Sequence, residues 1–161
     1  MSEVALTLRE GGLPDLGEVM TVMDDSFDSC FGEAWTASQC AGLFAMPGVW
    51  LTLARDDDFG GAVGFALSRI VVDEAELLLL AVRRAAQGRG VGKKLLDRFA
   101  LLARRRGAAR LHLEVREGNH AVKLYEKAGF GLIGRRANYY NGPDGRNYDA
   151  LTFSRIADET V

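Results

Sequence analysis

The sequence predicts a mixed α/β fold, with one sheet covered by helices on both faces. Three observations support this class. Strand-like and helix-like hydrophobic patterns alternate along the chain. The run from Glu76 to Val82 is almost continuously apolar, as in a central strand, and a glycine-rich turn follows it. The chain has 161 residues, 48% hydrophobic and 26% charged, which suits a globular protein, and we expect residues 1–161 to form a single domain.

The first predicted elements are one strand and two helices. Alternation of apolar and polar residues from Val4 to Leu8 predicts the strand. Pro14 suits the first turn of a helix, and apolar residues recur at helical spacing from Leu16 to Phe27. A shorter helix is predicted from Ala37 to Ala45, ended by Pro47-Gly48.

Three strands are predicted next. Val49 to Arg55 and Ala62 to Val72 form a hairpin around the turn-prone segment Asp57–Gly61. Asp73-Glu74 then turns the chain into the central strand from Glu76 to Val82. The remaining elements are a helix that ends near Gly107, a strand from Arg110 to Arg116, a helix from Ala121 to Ala128, and strands from Gly131 to Asn138 and from Tyr148 to Ile156. The predicted order is β-α-α-β-β-β-α-β-α-β-β.

The formal net charge of −2 conceals an uneven distribution of charge. Residues 1–82 carry 14 acidic and 3 basic side chains, whereas residues 83–110 carry 10 basic side chains and 1 acidic. A basic block in an acidic chain predicts a local anionic ligand. Nucleic acid is a poor candidate, because the block has one aromatic residue, Phe99, and that residue lies at a core-type helix position.

Other classes of protein are excluded by composition and by the longest apolar segments. Cys30 and Cys40 match no zinc-ligand spacing, so we expect no metal site. The N-terminal residues lack the basic and apolar regions of a signal peptide, and the longest apolar run, Leu77–Val82, is too short to span a bilayer. The sequence therefore predicts a cytoplasmic protein with neither a membrane nor a nucleic acid as its partner.

The segment Gln87–Gly92 follows the central strand and opens the next helix. Glycines let backbone N–H groups converge on an oxyanion, and a helix N-terminus adds favourable partial charge. The segment is not a P-loop, since Gly92-Lys93 is followed by a second lysine, and not a dinucleotide fingerprint, since its third glycine comes one residue early. It does fit the pattern Q-x-x-G-x-G, formed by Gln87, Gly90 and Gly92.

This pattern resembles the pyrophosphate-binding loop of the GNAT acetyltransferases. Further segments resemble the ribosomal-protein-alanine N-acetyltransferases, the RimI branch of that superfamily: Trp35-Thr36, Asp73–Leu77, Leu80–Val82, Leu113–Arg116, Leu124–Phe130, Arg135–Tyr140 and Asp144–Arg146. The resemblance implies the GNAT fold and the transfer of acetyl from acetyl-coenzyme A to an amine. Two departures are visible: five residues rather than six separate Asn119 from Tyr125, and Ala137 is an extra residue before Asn138.

The resemblance also implies roles for individual residues. Binding of acetyl-coenzyme A would fall to Leu80, Ala81, Val82, Gln87, Gly88, Arg89, Gly90, Val91, Gly92, Lys93 and Asn119. Glu114 would be the general base and Tyr125 the general acid. The groove for the acceptor would be bordered by Trp35, Tyr139 and Tyr140.

Transfer to an amine requires a proton acceptor and a proton donor. An α-amine has a pKa near ~8, so most of it is protonated at neutral pH, and a carboxylate can take the proton. Glu114 shares one face of its strand with His112, which is the rival base. The structural alternatives are a pairing of Glu114 with Arg116 or His112, and a purely packing role for Tyr125 in the core.

The resemblance does not by itself identify the acceptor amine. Acidic residues of the first half are expected to border the groove and attract a cationic acceptor: Asp28, Glu33, Asp73 and Glu76. No cysteine or serine lies in a setting that suits a nucleophile, which favours direct transfer in a ternary complex. The predicted acceptor is the N-terminal α-amine of a protein, of the ribosomal-protein-alanine type. The alternatives are a small-molecule amine, a lysine side chain, and a coenzyme A-binding module without catalysis.

Overall fold

The computed structural model describes residues 6–157, which form seven strands and four helices. The strands are β1 (Leu6–Gly11), β2 (Val49–Asp56), β3 (Gly61–Val71), β4 (Glu74–Val82), β5 (Arg110–Arg116), β6 (Gly131–Asn141) and β7 (Asn147–Ile156). The helices are α1 (Leu16–Ser26), α2 (Ala37–Phe44), α3 (Val91–Arg105) and α4 (Ala121–Lys127). The predicted order of elements and the mixed α/β class are confirmed.

The start of the chain differs from the prediction in one respect. The predicted first strand begins at Val4, which lies outside the described residues. Pro14 does not open α1, because it lies in a 3-10 turn, Leu13–Asp15, that precedes the helix. The Asp15 carboxylate accepts the N–H of Gly12 at 2.9 Å and so closes this turn before the helix begins.

All seven strands form one sheet in the order β1-β2-β3-β4-β5-β7-β6. Neighbouring strands are antiparallel except for β4 and β5, which are parallel. A parallel pair needs a crossover connection, and α3 supplies it between these two strands. The sheet is therefore mixed, as the sequence predicts.

Alternating side chains of β2 and β3 divide the core between the two faces of the sheet. Leu53 and Phe65 are fully buried on the face that α1 covers. Trp50 lies on the opposite face, where it stacks on Phe99 of α3 with ring centroids 6.1 Å apart. Helices therefore cover both faces, as predicted.

The strand β4 contains a bulge half-way along its length. Leu77 and Leu79 face successive residues of β3, so Leu78 has no residue opposite it. Because of the bulge, the buried Leu77 packs on the α3 face and the buried Leu79 on the α1 face. The pairing of β4 with β5 ends at Leu77 and Leu113. Beyond that pair a gap lies between the two strands, and the candidate site occupies it.

Val72 occupies the tip of the β3–β4 hairpin at a φ of +57° and is 90% exposed. The turn comes one residue earlier than predicted, since β4 already begins at Glu74. A β-branched residue is unfavourable at positive φ, whereas glycine is not. We expect Val72→Gly to raise the free energy of unfolding by about 1 kcal/mol in urea denaturation. Val72→Ala keeps the Cβ atom, so its free energy of unfolding should rise less. An unchanged urea midpoint for Val72→Gly would contradict the positive φ of Val72.

Candidate active site

A cavity of about 690 Å³ occupies the gap between β4 and β5. One wall is formed by the second half of β4, the glycine-rich turn and the first turn of α3. The opposite wall is formed by the end of β5, by Asn119 and by α4. Residues from segment 26–35, which runs from the last residue of α1 toward α2, and Tyr139-Tyr140 of β6 complete the lining. The cavity therefore joins parts of the chain that are distant in sequence.

All but one of the predicted site residues line this cavity: Trp35, Leu80, Ala81, Val82, Gln87, Gly88, Gly90, Val91, Gly92, Lys93, Glu114, Asn119, Tyr125, Tyr139 and Tyr140. The exception is Arg89, whose guanidinium carbon lies 5.1 Å from the centroid of the Phe59 ring. A contact between Arg89 and a pyrophosphate therefore stays a prediction. The rival base His112 lies outside the lining. The prediction that Asp73 borders the groove is wrong, because Asp73 lies in the β3–β4 turn.

Beyond its bulge, β4 offers one edge to the cavity. Leu80–Val82 pair with β3 on one side, while the same residues line the cavity on the other. Gln87 folds back on the strand and donates from its Nε2 to the Val82 carbonyl at 3.1 Å. This hydrogen bond closes the turn after β4. Backbone groups on the open edge are available to a ligand, as at any unpaired strand edge.

The glycine-rich turn has the conformation that anion binding requires. Gly88 and Gly90 have φ values of +80° and +82°, which glycine adopts without strain. A Cβ atom at either position would meet open space, so nothing packs against the backbone there. Gly90 is the N-cap of the 15-residue helix α3 and supplies no side-chain cap to its first N–H groups. Uncapped donors at the positive end of a helix fit a bound oxyanion.

Lys93 stands in the first turn of α3, on the cavity wall. Its ammonium group pairs with Asp97 at 2.7 Å, but the two side chains are 71% and 57% exposed. An exposed pair of this kind contributes little energy. The ammonium group is therefore free to turn to a stronger anionic partner in the cavity.

Glu114 lies one residue beyond the last pair between β4 and β5, and its side chain is 17% exposed. Its carboxylate pairs with Nε of Arg136 at 2.9 Å. The structural alternatives that paired it with Arg116 or His112 are wrong, because each of those has a different carboxylate partner. From the cavity wall, the Glu114 carboxylate can accept a proton from a bound amine.

Tyr125 belongs to the hydrophobic core and also lines the cavity. It is 5% exposed and packs edge-to-face on Phe130, with ring centroids 6.2 Å apart. Burial raises the pKa of Tyr125 above the ordinary tyrosine value, and the neighbouring Tyr140 and Glu33 shift it in the same direction. The phenol is therefore protonated at neutral pH and can donate a proton.

Glu33 is the centre of a buried polar network that the sequence did not predict. It is 8% exposed, and its Oε1 accepts hydrogen bonds from Nε of Arg116 at 2.7 Å and from Nδ2 of Asn119 at 3.3 Å. The Arg116 guanidinium carbon also lies 3.7 Å from the centroid of the Phe31 ring. The network ties segment 26–35 to the end of β5. The sequence indicated only an acidic residue at the groove, since no local pattern identifies a partner 83 residues away.

Asn119 joins this network to the start of α4. Its Oδ1 accepts the N–H of Ala121 at 2.8 Å, while its Nδ2 donates to Glu33. Both ends of the amide are thus engaged within the protein, six residues before Tyr125. The side chain still lines the cavity, and its contact with a pantetheine arm stays a prediction.

The two tyrosines of the acceptor side follow an irregular stretch of β6. The register with β7 shifts between Arg136 and Tyr140, and Asn138 within this bulge has a φ of +55°. The extra residue Ala137 lies in the same bulge. Tyr139 and Tyr140 line the cavity with their rings perpendicular and their centroids 5.0 Å apart. The insertion therefore alters the strand at the point where the acceptor groove is predicted.

Comparison with known proteins agrees with this geometry. The sequence profile of the Acetyltransferase (GNAT) family matches residues 16–130, which is more than half of the chain. The chain belongs to the GNAT acetyltransferase family. The family resemblance read from the sequence is thereby confirmed, and so is the GNAT fold.

Relatives of this GNAT protein include the ribosomal protein bS18-alanine N-acetyltransferases of Haemophilus influenzae and Escherichia coli K12. They are 41% and 42% identical to it over 92 and 93 residues. The aligned stretches cover 57% of this chain and 63% and 62% of those relatives, slightly less than two-thirds of their length. The crystal structure of the ribosomal-protein-S18-alanine N-acetyltransferase from Escherichia coli matches with a TM-score of 0.83 at 28% identity, covering 97% of this chain and 96% of that one.

Three further observations concern membranes, metal ligands and the two cysteines. Across residues 6–157, no helix of this GNAT protein is both long and apolar enough to cross a membrane. Within the same residues, no three His, Cys, Asp or Glu side chains come together as metal ligands would. Cys30 and Cys40 are free thiols.

Proposed function

We propose that this GNAT protein transfers the acetyl group of acetyl-coenzyme A to the N-terminal α-amine of a protein. The observation that supports this most directly is a single cavity, lined both by an uncapped helix N-terminus and by Glu114 and Tyr125. Anion binding and proton transfer can thus take place in one space. Residues 1–161 would form one catalytic domain.

The donor half of the site is proposed to lie along β4 and the glycine-rich turn. Backbone groups of Leu80–Val82 would hold the acetyl and pantetheine part of the donor. Gly88–Lys93, with Gln87 closing the turn, would hold the pyrophosphate. Asn119 would contact the pantetheine arm. The basic block that contains the turn favours this anionic ligand electrostatically.

In the proposed reaction the amine attacks the thioester directly. Glu114 takes a proton from the nitrogen, and its pair with Arg136 holds the carboxylate in place. Tyr125 gives a proton to the departing thiolate, and the proton that Glu114 took from the nitrogen restores the Tyr125 phenol, so that coenzyme A leaves as the thiol. Cys30 and Cys40 lie off the cavity wall, and desolvation raises the pKa of both thiols, which argues against an acyl-enzyme.

The acceptor is proposed to be a protein that begins with alanine, of the ribosomal type for which the relatives are named. Trp35, Tyr139 and Tyr140 would border its groove, and Tyr139 is 47% exposed and able to pack on a peptide. Asp28 and Glu76 line the same cavity and suit a cationic terminus. The proposal involves neither nucleic acid nor membrane, and it places the reaction in the cytoplasm, a reducing compartment that suits free thiols.

An acceptor screen that measures free thiol tests this function. The protein with acetyl-coenzyme A is expected to turn over a peptide that begins with alanine. Two substrates serve as matched comparisons. One is the same peptide with a blocked N-terminus and an internal lysine, and the other is a polyamine. If only the lysine peptide or only the polyamine is turned over, the proposed acceptor is wrong and that substrate identifies the acceptor class. Thermal stabilisation by acetyl-coenzyme A without any turnover would contradict catalysis and indicate a binding module.

The glycine-rich turn gives a prediction for donor binding. Gly90→Ala is expected to weaken acetyl-coenzyme A binding about tenfold in calorimetry, because a Cβ atom at positive φ costs about 1–2 kcal/mol. Gly107→Ala is the matched control, since Gly107 also has a positive φ with open space around it, at the other end of α3. It should lower stability by a similar amount and leave donor affinity unchanged. Equal donor affinities in the two variants would contradict binding at the turn.

A further inference from the structure

Glu76 and His112 form a pair at the point where β4 and β5 separate. They are register partners on the two parallel strands, one position before the last pair. Oε2 of Glu76 lies 3.8 Å from Nε2 of His112. Glu76 lines the cavity and its side chain is 37% exposed, whereas His112 does not line the cavity and its side chain is 28% exposed. The pair therefore lies between the cavity and the solvent, and both side chains reach the solvent in part.

Acetylation of an ammonium group releases two protons from one nitrogen. The first leaves when the ammonium becomes a nucleophilic amine. The second leaves as the N–C bond forms and the C–S bond breaks. One proton ends on the coenzyme A thiol and the other in the solvent. This inference rests on the proposed function. If Glu114 and Tyr125 handle the second proton and the thiol, the first proton can leave through another group.

We propose that Glu76 accepts the proton of the incoming ammonium and that His112 carries it to the solvent. The step is R–NH3⁺ plus the Glu76 carboxylate giving R–NH2 plus the Glu76 carboxylic acid. Glu76 then passes the proton to the His112 imidazole when the two side chains, 3.8 Å apart in this structure, close to hydrogen-bond distance, and the imidazole releases it to water. Glu76 is thereby a catalytic residue, and His112 acts through it.

The surroundings of Glu76 suit this role. Burial raises the pKa of Glu76, and Glu114 of β5 raises it further, while His112, Arg136 of β6 and Arg69 of β3 lower it. Glu114 is already held by Arg136, and Glu76 has no arginine partner among the described ion pairs. A carboxylate whose pKa is moved toward neutrality accepts a proton more readily. An imidazole has two ring nitrogens, so the half-buried His112 can take the proton on one side and release it on the other.

The test is the pH dependence of kcat/KM for Glu76→Gln with an alanine-starting peptide. We expect a loss of roughly tenfold or more at neutral pH. The loss should disappear above the amine pKa of ~8, where the acceptor arrives unprotonated. It should also shrink at neutral pH for a peptide that begins with 3-fluoroalanine, whose amine is less basic. Glu114→Gln should keep its defect under all these conditions.

Two further variants distinguish a proton-relay role of the Glu76–His112 pair from a purely structural role. Glu74→Gln changes an exposed carboxylate on the same strand and should behave as the parent protein. His112→Ala should lose activity at neutral pH and regain it with added imidazole, which a packing defect would not do. Acetyl-coenzyme A affinity and the melting temperature check that each variant folds.

The outcomes distinguish this inference from the function on which it rests. A Glu76→Gln defect that is the same at every pH and for both amines would overturn the inference, and so would full activity at neutral pH. Absence of peptide turnover by the parent protein would overturn the proposed function and the inference together. Turnover by the parent with an unaffected Glu76→Gln variant would overturn the inference alone.

Discussion

Glu114→Gln is expected to lower kcat about 100- to 10,000-fold with an alanine-starting peptide. The amide keeps the shape of the carboxylate but cannot accept a proton at neutral pH. Its oxygen can still lie against the Arg136 guanidinium, so the cavity wall should keep its shape. Acetyl-coenzyme A affinity, measured by calorimetry, should therefore be unchanged.

Two controls sharpen this result. Glu126→Gln alters an exposed carboxylate of α4 that does not line the cavity, and it should leave kcat unchanged. Arg136→Gln removes the cation that pairs with Glu114. Because the arginine is 63% exposed, we expect kcat to fall less than in Glu114→Gln. A Glu114→Gln variant with parental kcat would show that another group receives the proton. If Glu114→Gln keeps both the kcat and the acetyl-coenzyme A affinity of the parent protein, Glu114 has no role in the reaction.

Glu33→Ala is expected to lower the free energy of unfolding by about 3–5 kcal/mol, because it leaves the Arg116 guanidinium buried without its carboxylate. The two side chains are 8% and 11% exposed, so the Arg116 charge would lose its carboxylate at a nearly buried position. Segment 26–35 should loosen at the same time, since the pair ties it to β5. Urea denaturation measures the first effect, and hydrogen exchange of the segment measures the second.

An exposed ion pair offers the matched control. Glu117→Gln breaks a pair with Arg135 in which both side chains are about half exposed, and it should cost less than about 1 kcal/mol. Glu33→Leu combined with Arg116→Met should recover much of the lost stability, because no buried charge remains and methionine can pack on Phe31. Equal losses for Glu33→Ala and Glu117→Gln would contradict a buried pair.

The two predicted losses differ in kind. The Glu114 variant should fold normally and fail in chemistry, whereas the Glu33 variant should fail first in stability. Activity of the Glu33 variant should fall as segment 26–35 loosens, through a higher KM for the peptide, since the segment carries Trp35 on the cavity wall. Measurement of kcat and KM in both variants separates a proton acceptor from a residue that positions the acceptor wall.

Much of the fold could be predicted because its signals are local. The alternation in Arg110–Arg116 predicts β5 with the same bounds as the structure, since a two-residue period places alternate side chains on the two faces. The glycines and proline that end elements act on their own backbone, which is why the short helix α2 was predicted to within one residue. The turn at Val72 was misplaced because a β-branched residue at positive φ carries no local turn signal.

The bulge at Leu78 could not be predicted. A run of leucines reads as one buried strand whether or not its register shifts, because all its side chains are apolar. The shift is visible only against β3, where Leu77 and Leu79 face successive residues. The end of β4–β5 pairing, on which the cavity depends, is likewise a property of two strands and not of either one.

The sequence by itself determined the order of elements and the glycine-rich turn at Gln87–Gly92, and its resemblance to the GNAT acetyltransferases pointed to Glu114 and Tyr125. The order and the turn follow from backbone preferences and periodicities that act within a few residues. Only the tertiary structure decided which charges meet: Glu114 with Arg136, Glu76 with His112, and Glu33 with Arg116. Ion pairs join side chains from separate strands and loops. Their choice of partner depends on the packing that brings those elements together.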